Sequence, residues 1–265
     1  MEKVIEKIVL NGVTNFANSF EAKHLDQLGD PEGIINAKVH NTFMAALGDE
    51  VRFFSALSRS LDSSLGNMVE GIAIEIAKLN FDVTRQVEGV LYDDQTRQIS
   101  SLLERYKNSA DALRPSVSHY QDLRVVSAGD QHTKRHDSDY VLKHKASGIY
   151  SLIELKLGGD LDNKKARSEK EALLEQYCIL ASQIPASTEI NIYFATGYNK
   201  FGENRPWNQG RVLQFFAREE LLISGDFWNF VADDVHGYEL VMDSYQRHAH
   251  LIQGALERVK AAYLD

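Results

Sequence analysis

Fourteen residues separate Asp139 from the tripeptide Glu154-Leu155-Lys156, and the intervening YVLKHKASGIYSLI reads as a tight β-hairpin. With Lys145-Ala146-Ser147-Gly148 as the turn, Asp139 falls opposite Glu154, and the alternation of side chains along a strand puts Lys156 on the same face. Two carboxylates and an ammonium so placed suit metal-assisted hydrolysis of a phosphodiester. That reaction needs an activated water, a counter-charge for the pentavalent phosphorane and a proton for the leaving oxygen. Mg²⁺ supplies the first two, and it is usually held by one or two carboxylates together with substrate phosphate. Asp139 and Glu154 are the expected ligands, with the main-chain carbonyl of Leu155 a natural third. Lys156 is expected beside the attacking water and the scissile phosphate, either lowering the pKa of that water or stabilising the transition state electrostatically.

A solvated hairpin face with a cross-strand ion pair is the ordinary alternative for residues of these types. The apolar run SLIELKL argues against it, because it reads as a central strand, where charges are costly unless paired or metal-bound. Asp137, on the face of Asp139 and opposite Lys156, competes for the first ligand position; the two could share it. Glu70 is a further catalytic candidate. In SLGNMVEGIAIEIAKL, Leu65, Met68, Val69, Ile72, Ile76 and Leu79 form one helical stripe, and Glu70 lies far round the helix beside Ile74 and Ala77, on a second apolar face.

The elements that must position these groups follow from periodicity. Helices are expected near 2–18, 34–60, 63–79 (with Ser63 or Ser64 as cap) and 93–113, then strands at 121–127, 139–145, 149–157 and 188–197, with a helix at 163–182 before the last strand. That strand, helix, strand order implies a crossover and at least one parallel pair. The chain from about 211 reads as helical, ending in a long amphipathic helix over 237–263. The fold class expected is α/β, a central mixed β-sheet flanked by helices and extended by N- and C-terminal helices. The 265 residues read as one catalytic domain: a helical extension at 1–60, a core at 61–215 and C-terminal helices at 216–265.

Composition is ordinary for a protein with a proper core, at 43% hydrophobic and 25% charged residues. The start, MEKVIEKIVLNGV, is charged and lacks a signal h-region, and no run approaches the roughly 18 apolar residues of a spanning helix, so a cytoplasmic location is expected. The single Cys178 excludes an internal disulfide and a cysteine zinc site, and LLEQYCIL marks it as a buried structural thiol. His132, His136 and His144 lack the partners of a zinc site, and His248 and His250 cannot share a helix face. The net charge of −9 opposes binding of a polyanion, but it hides a local reversal. Between Lys134 and Lys170 stand nine Lys and Arg against six Asp and Glu. An acidic body with a basic strip suits an enzyme that gathers phosphate at one place, although basic strips are also common solvated helix faces.

Asp139…Glu154-Leu155-Lys156, with a Glu on an upstream helix, resembles the PD-(D/E)XK nuclease superfamily, and IELKLGGDLDNKKARSEKEALLEQY is similar to Type II restriction endonucleases of the TdeIII/MjaII type. The likeness runs from about 132 to 180 and extends to PWNQGRVLQFF. It departs from the literal motif in having Ser138-Asp139 where "PD" is named, which bears on which Asp ligates. The resemblance implies Mg²⁺-dependent cleavage of double-stranded DNA at a short palindrome, a GGNCC-like site, a homodimer with one active site per strand, and a cognate DNA methyltransferase as companion.

Residues flanking the hairpin complete the expected DNA-binding set. Gly158-Gly159 lets the chain leave the strand without a Cβ clash and permits close approach to phosphate. Asp160 or Asp162 can cap the next helix, whose first turns present Asn163, Lys164, Lys165 and Arg167 while Ala166, Leu173, Tyr177, Leu180 and Ala181 bury the opposite face. Lys134 and Arg135 precede the hairpin. The loop GYNKFGENRPWNQGR carries Asn199, Lys200, Asn204, Arg205, Asn208, Gln209 and Arg211, types that contact base edges. A repair or junction nuclease of the same superfamily, and a non-catalytic DNA-binding protein of this fold, are the alternatives.

Overall fold

A computed structural model of the chain describes residues 1–107, 113–125 and 128–265, which divide into two compact units: Ala77–Tyr238, and a helical unit of Met1–Ile76 with Glu239–Asp265. In the helical unit, α1 (Glu2–Leu25) buries Ile5, Val9, Val13, Phe16 and Phe20, a stripe recurring every three or four residues. The short α2 (Thr42–Ala45) is capped by Asn41, whose side chain accepts from the Phe43 and Met44 N–H groups. α3 (Asp49–Ala77) is one continuous helix where two, 34–60 and 63–79, were expected. Ser63 and Ser64 lie inside it rather than capping a second helix, since no proline interrupts the backbone ladder there.

The second unit is built on a five-stranded mixed sheet. Along the chain come β1 (Phe81–Tyr92), α4 (Asp93–Lys107), β2 (Gln131–His144), β3 (Tyr150–Leu155), α5 (Asn163–Gln183), β4 (Ile190–Thr196), α6 (Gly210–Leu213), β5 (Leu221–Ile223) and α7 (Gly225–Ala232). The strand order is β1-β2-β3-β4-β5. β1, β2 and β3 are antiparallel neighbours, while β3–β4 and β4–β5 are parallel, so β3 sits at the centre with the hairpin on one side and a crossover through α5 on the other. The pairs Tyr140↔Ile153 and Lys143↔Tyr150 reproduce the hairpin register read from the turn.

Several boundaries differ from expectation for identifiable reasons. β1 occupies 81–92, which carried no strand signal, because its register shifts between Thr84 and Gln86 and only Phe81, Val87 and Leu91 are buried. β2 starts at Gln131, eight residues early, since QHTKRHDS is polar and pairs only with β1. Residues 121–125 are a 3-10 helix (Gln121–Val125) instead of a strand: Tyr120 and Leu123, three apart, are both buried, and Arg124 donates to the Thr188 carbonyl at 2.9 Å. Residues 126–127 of that expected strand, and 108–112 of the helix expected over 93–113, lie outside the described residues. The region after 211 also contains β5, a strand of three residues too short for periodicity to reveal.

α5 is buried nearly all round, including Leu173, Leu174, Tyr177, Cys178, Ile179 and Leu180, so it is a core helix of the sheet unit rather than a one-sided amphipathic one. Burial drives the Cys178 thiol up to about 12, as befits a structural cysteine. Lys170 of α5 is also fully enclosed. Its ammonium contacts Glu220 and lies over the rings of Tyr120 and Phe216, 4.6 and 4.9 Å from their centroids. Glu220 is further satisfied by the Tyr120 hydroxyl at 2.6 Å and the Ala217 N–H at 2.7 Å.

The last helix, α8 (Gly237–Leu264), returns to the helical unit, where Arg258 donates twice to Glu21 at 2.6 Å and the Tyr263 hydroxyl donates to the His24 carbonyl at 2.8 Å. Among the described residues no helix is long and apolar enough to cross a membrane. Lys170→Met strands the buried Glu220 charge, and is expected to destabilise the sheet unit by about 3–5 kcal/mol, read as a lower urea midpoint. Adding Glu220→Gln should recover most of that loss; a Lys170→Met midpoint equal to that of the unsubstituted protein would show that the pair is not coupled to folding.

Candidate functional site

The hairpin delivers its charged residues to the carboxyl end of β3 through an irregularity in β2. Thr84 of β1 pairs with Val141 and Gln86 with Asp137, so Arg85 alone faces the three residues Ser138–Tyr140. Such bulges re-aim side chains and interrupt pairing. Here Ser138 turns inward, where its hydroxyl donates to Gln176 of α5, and the Asp139 carboxylate takes the Leu155 N–H at 2.8 Å. A side-chain acceptor thus stands where the ladder would otherwise place a backbone carbonyl. Asp139 is thereby tied directly to the strand that bears Glu154 and Lys156.

Three groups converge there. The Lys156 ammonium contacts the Glu154 carboxylate and lies 3.4 Å from that of Glu169 on α5. Burial, and then the neighbouring Asp139 charge, push the Glu154 carboxyl up to about 7 despite the ammonium beside it. For Lys156, burial works against the charged form, but Glu154, Glu169 and Asp139 together outweigh it and hold the ammonium above its ordinary range. Glu169 was not singled out in the sequence. Its signal, a Glu two turns into the helix after the strand, acquires meaning only once α5 is packed across the end of β3.

The other expected site residues are placed differently. Asp137 does not face Lys156: it pairs with Gln86 across β1 and β2, and its exposed carboxylate accepts from Gln86 Nε2 at 3.1 Å. Glu70 is half-buried on α3, in the helical unit, whereas the hairpin belongs to the sheet unit. Lys134 is drawn to Glu175 of α5 at 2.6 Å, and His136 to the same carboxylate at 2.9 Å. Burial opposes the charge on Glu175, yet these two partners hold its carboxyl below the usual range. His132 instead meets Asp93 at 2.8 Å and His144 meets Asp233 at 3.3 Å, so the three imidazoles serve separate contacts. Arg167 reaches back to Glu104 of α4 at 3.0 Å, leaving Asn163, Lys164 and Lys165 as the exposed face of the first turn of α5, with Arg135 exposed on β2.

The turn out of β3 is tightly built. Asp162 caps α5 by accepting the Lys165 N–H at 2.8 Å. Gly159 has φ +66, and a Cβ there would stand 2.7 Å from Thr196 and 3.0 Å from Trp207, while one on Gly158 would meet the Tyr198 hydroxyl at 2.5 Å. What approaches these glycines is therefore the 197–207 loop. That loop is anchored to the same turn, because Asp160 accepts from Lys200 at 3.0 Å and from Gln209 at 2.9 Å. Asn199 and Gln209, both buried, hold the loop: Asn199 donates to the Arg205 carbonyl at 2.8 Å, and Gln209 caps α6. Asn204, Arg205, Asn208 and Arg211 stay exposed.

The Glu154 shift has a definite pH consequence in metal-free protein. A carboxyl that ionises near 7 when folded but near 4.5 when unfolded keeps a proton that the unfolded chain releases, so stability falls as pH rises between those values. The slope contributed is on the order of 1 kcal/mol per pH unit, and Glu154→Gln should remove it. Thermal unfolding in EDTA across pH 5–8 measures this; identical slopes for both proteins would refute the assignment.

No curated protein and no solved structure matches the chain. Residues 1–249 match the family model described as Type II restriction endonuclease, HinfI, a different type within that class from the TdeIII/MjaII type the hairpin and GGDLDNKKA run resemble, and the match reaches the first 60 residues, where no resemblance was legible. With the mixed sheet of a restriction-endonuclease fold beneath the converging Asp139, Glu154 and Lys156, the chain belongs to the HinfI family of Type II restriction endonucleases.

Proposed function

We propose that the protein hydrolyses double-stranded DNA at a short palindrome by the PD-(D/E)XK chemistry, with Mg²⁺ held by Asp139, Glu154 and the Leu155 carbonyl. The observation that carries this reading is the convergence of Asp139 and the Glu154–Lys156 pair at the end of the central strand. The donor set suits a hard cation. Burial, and then the charge of Asp139, raise the Glu154 carboxyl to about 7, and the backbone oxygen of Leu155 leaves β3 on the edge where its N–H meets Asp139. Among the described residues no group of three or more His, Cys, Asp or Glu side chains is arranged for a metal, so a cation here would take its remaining ligands from water and substrate phosphate.

A cation bound there supplies the activated water and the counter-charge for the phosphorane. Asp139 and Glu154 orient it, and Asp139 is itself held by the Leu155 amide. Lys156, kept protonated by the surrounding carboxylates, serves as a permanent positive charge near the scissile phosphate instead of as a base. Lys164, Lys165 and Arg135 contact the backbone, and the exposed Asn204, Arg205, Asn208 and Arg211 read base edges from a loop that Asp160 ties to the catalytic turn. A palindrome calls for two copies of the chain, one active site per strand. A methyltransferase protecting the host's own sites, in the same cytoplasm, completes the system.

Incubating phage DNA with the protein and Mg²⁺, then sequencing the fragment ends, tests this. Discrete fragments sharing a palindrome are expected; ragged or structure-dependent cutting would indicate a repair or junction nuclease, and binding without cutting a non-catalytic role. Glu154→Ala and Lys156→Ala should abolish cleavage while preserving gel-shift affinity for DNA, and full activity in either would remove the site assignment. Asp139→Asn is expected to slow cleavage about a hundredfold or more, with Asp137→Asn close to the unsubstituted rate. The reverse order would transfer the ligand role to Asp137.

A further inference from the structure

Lys156 has two carboxylate partners of unlike origin. Glu154 stands two residues away on the same strand, whereas Glu169 approaches from α5, its Oε1 3.4 Å from the ammonium. The side chains of Glu154, Glu169 and Lys156 are 12%, 25% and 34% exposed, so the lysine is the most accessible of the three and the strand carboxylate the least. The helix that carries Glu169 is held rigidly. Asp162 caps it, Ala166 is fully buried one turn before, and the adjacent Lys170 is locked to Glu220 inside the core. A lysine, by contrast, moves its charge on a flexible four-carbon stem. Of this triad, Lys156 carries its charge on the longest and most exposed side chain.

The arrangement resolves a conflict within the catalytic reading. While the ammonium contacts Glu154 Oε1, it competes with a cation for that carboxylate, and two positive charges on one carboxylate repel. Withdrawing Lys156 into solvent would free the Glu154 carboxylate and also remove the charge from the place where the phosphate would be cut. Glu169 offers a third course within reach of the same ammonium.

We propose that Glu169 is a positioning residue, which takes over the Lys156 ammonium when Asp139 and Glu154 hold a divalent cation and so keeps it at the site. This rests on the reading of Asp139 and Glu154 as cation ligands. Glu169 acts through Lys156 and is not itself a ligand. Its effect on cation binding therefore exists only when the lysine is present.

Mn²⁺, titrated alone and followed by electron paramagnetic resonance, measures that coupling without turnover. Four proteins are compared: unsubstituted, Glu169→Gln, Lys156→Met, and the double variant. Glu169→Gln should weaken Mn²⁺ binding about tenfold, because the ion must then break the Lys156–Glu154 contact with no replacement for it. In the Lys156→Met background the same change should alter binding by less than about twofold. Unchanged affinity in Glu169→Gln, or an equal fall in both backgrounds as a direct ligand or a distant charge would give, overturns the proposal alone. Absence of bound Mn²⁺ from the unsubstituted protein would overturn the cation reading and the proposal together.

Discussion

The contact between Lys156 and Glu154 is the interaction around which the sheet unit is organised. A carboxylate on a strand with neighbours on both sides loses most of its hydration, and a second carboxylate, Asp139, arrives from the next strand. Burying that pair without compensation would be strongly unfavourable. The ammonium two residues along the strand offsets part of it, because strand alternation puts Lys156 on the face of Glu154. What remains uncompensated is seen in the Glu154 carboxyl, which burial and Asp139 raise despite the ammonium beside it.

α5 carries the supports for this arrangement on successive turns. Glu169 meets Lys156, Lys170 meets Glu220, Glu175 gathers Lys134 and His136, and Gln176 accepts from Ser138 in the bulge. Through these contacts one helix sets the position of β3, the 3-10 turn at 218–220 and the irregular stretch of β2. So many polar groups on a buried helix are tolerable because Glu169, Lys170, Glu175 and Gln176 each find a partner. The basic strip read from the sequence is partly consumed in this way: Lys134, Arg167 and Lys170 are spent on structure, while Lys164 and Lys165 stay at the surface.

How much was legible depended on whether the information was local. The hairpin register could be read because a four-residue turn and strict alternation leave one alignment that keeps the apolar residues inside. The crossover through α5 followed from strand, helix, strand order, whereas the cap was legible only as Asp160 or Asp162 and folding gives it to Asp162. β1 was invisible because its pairing shifts midway and its polar residues break the alternation, and β5 because three residues carry no period. Register favoured Asp139 and kept Asp137 as its rival, because a bulge shifts pairing without leaving any mark in residue type. The glycine pair was recognised as special, yet its neighbour, the 197–207 loop, could not be named.

From the sequence alone came the candidate residues and their immediate geometry: two acids and a lysine, brought together by a turn and a period of two, near a helix start rich in basic residues. These are properties of a few consecutive residues and of torsional preferences, so they survive without knowledge of the rest of the chain. Tertiary structure decided which aspartate reaches β3, which cations remain available to a polyanion, and that a glutamate from another element shares Lys156. Those outcomes turn on distances of a few ångströms between residues far apart in the chain. They are set by how α5 packs across the sheet and where β2 bulges, and no local pattern encodes either.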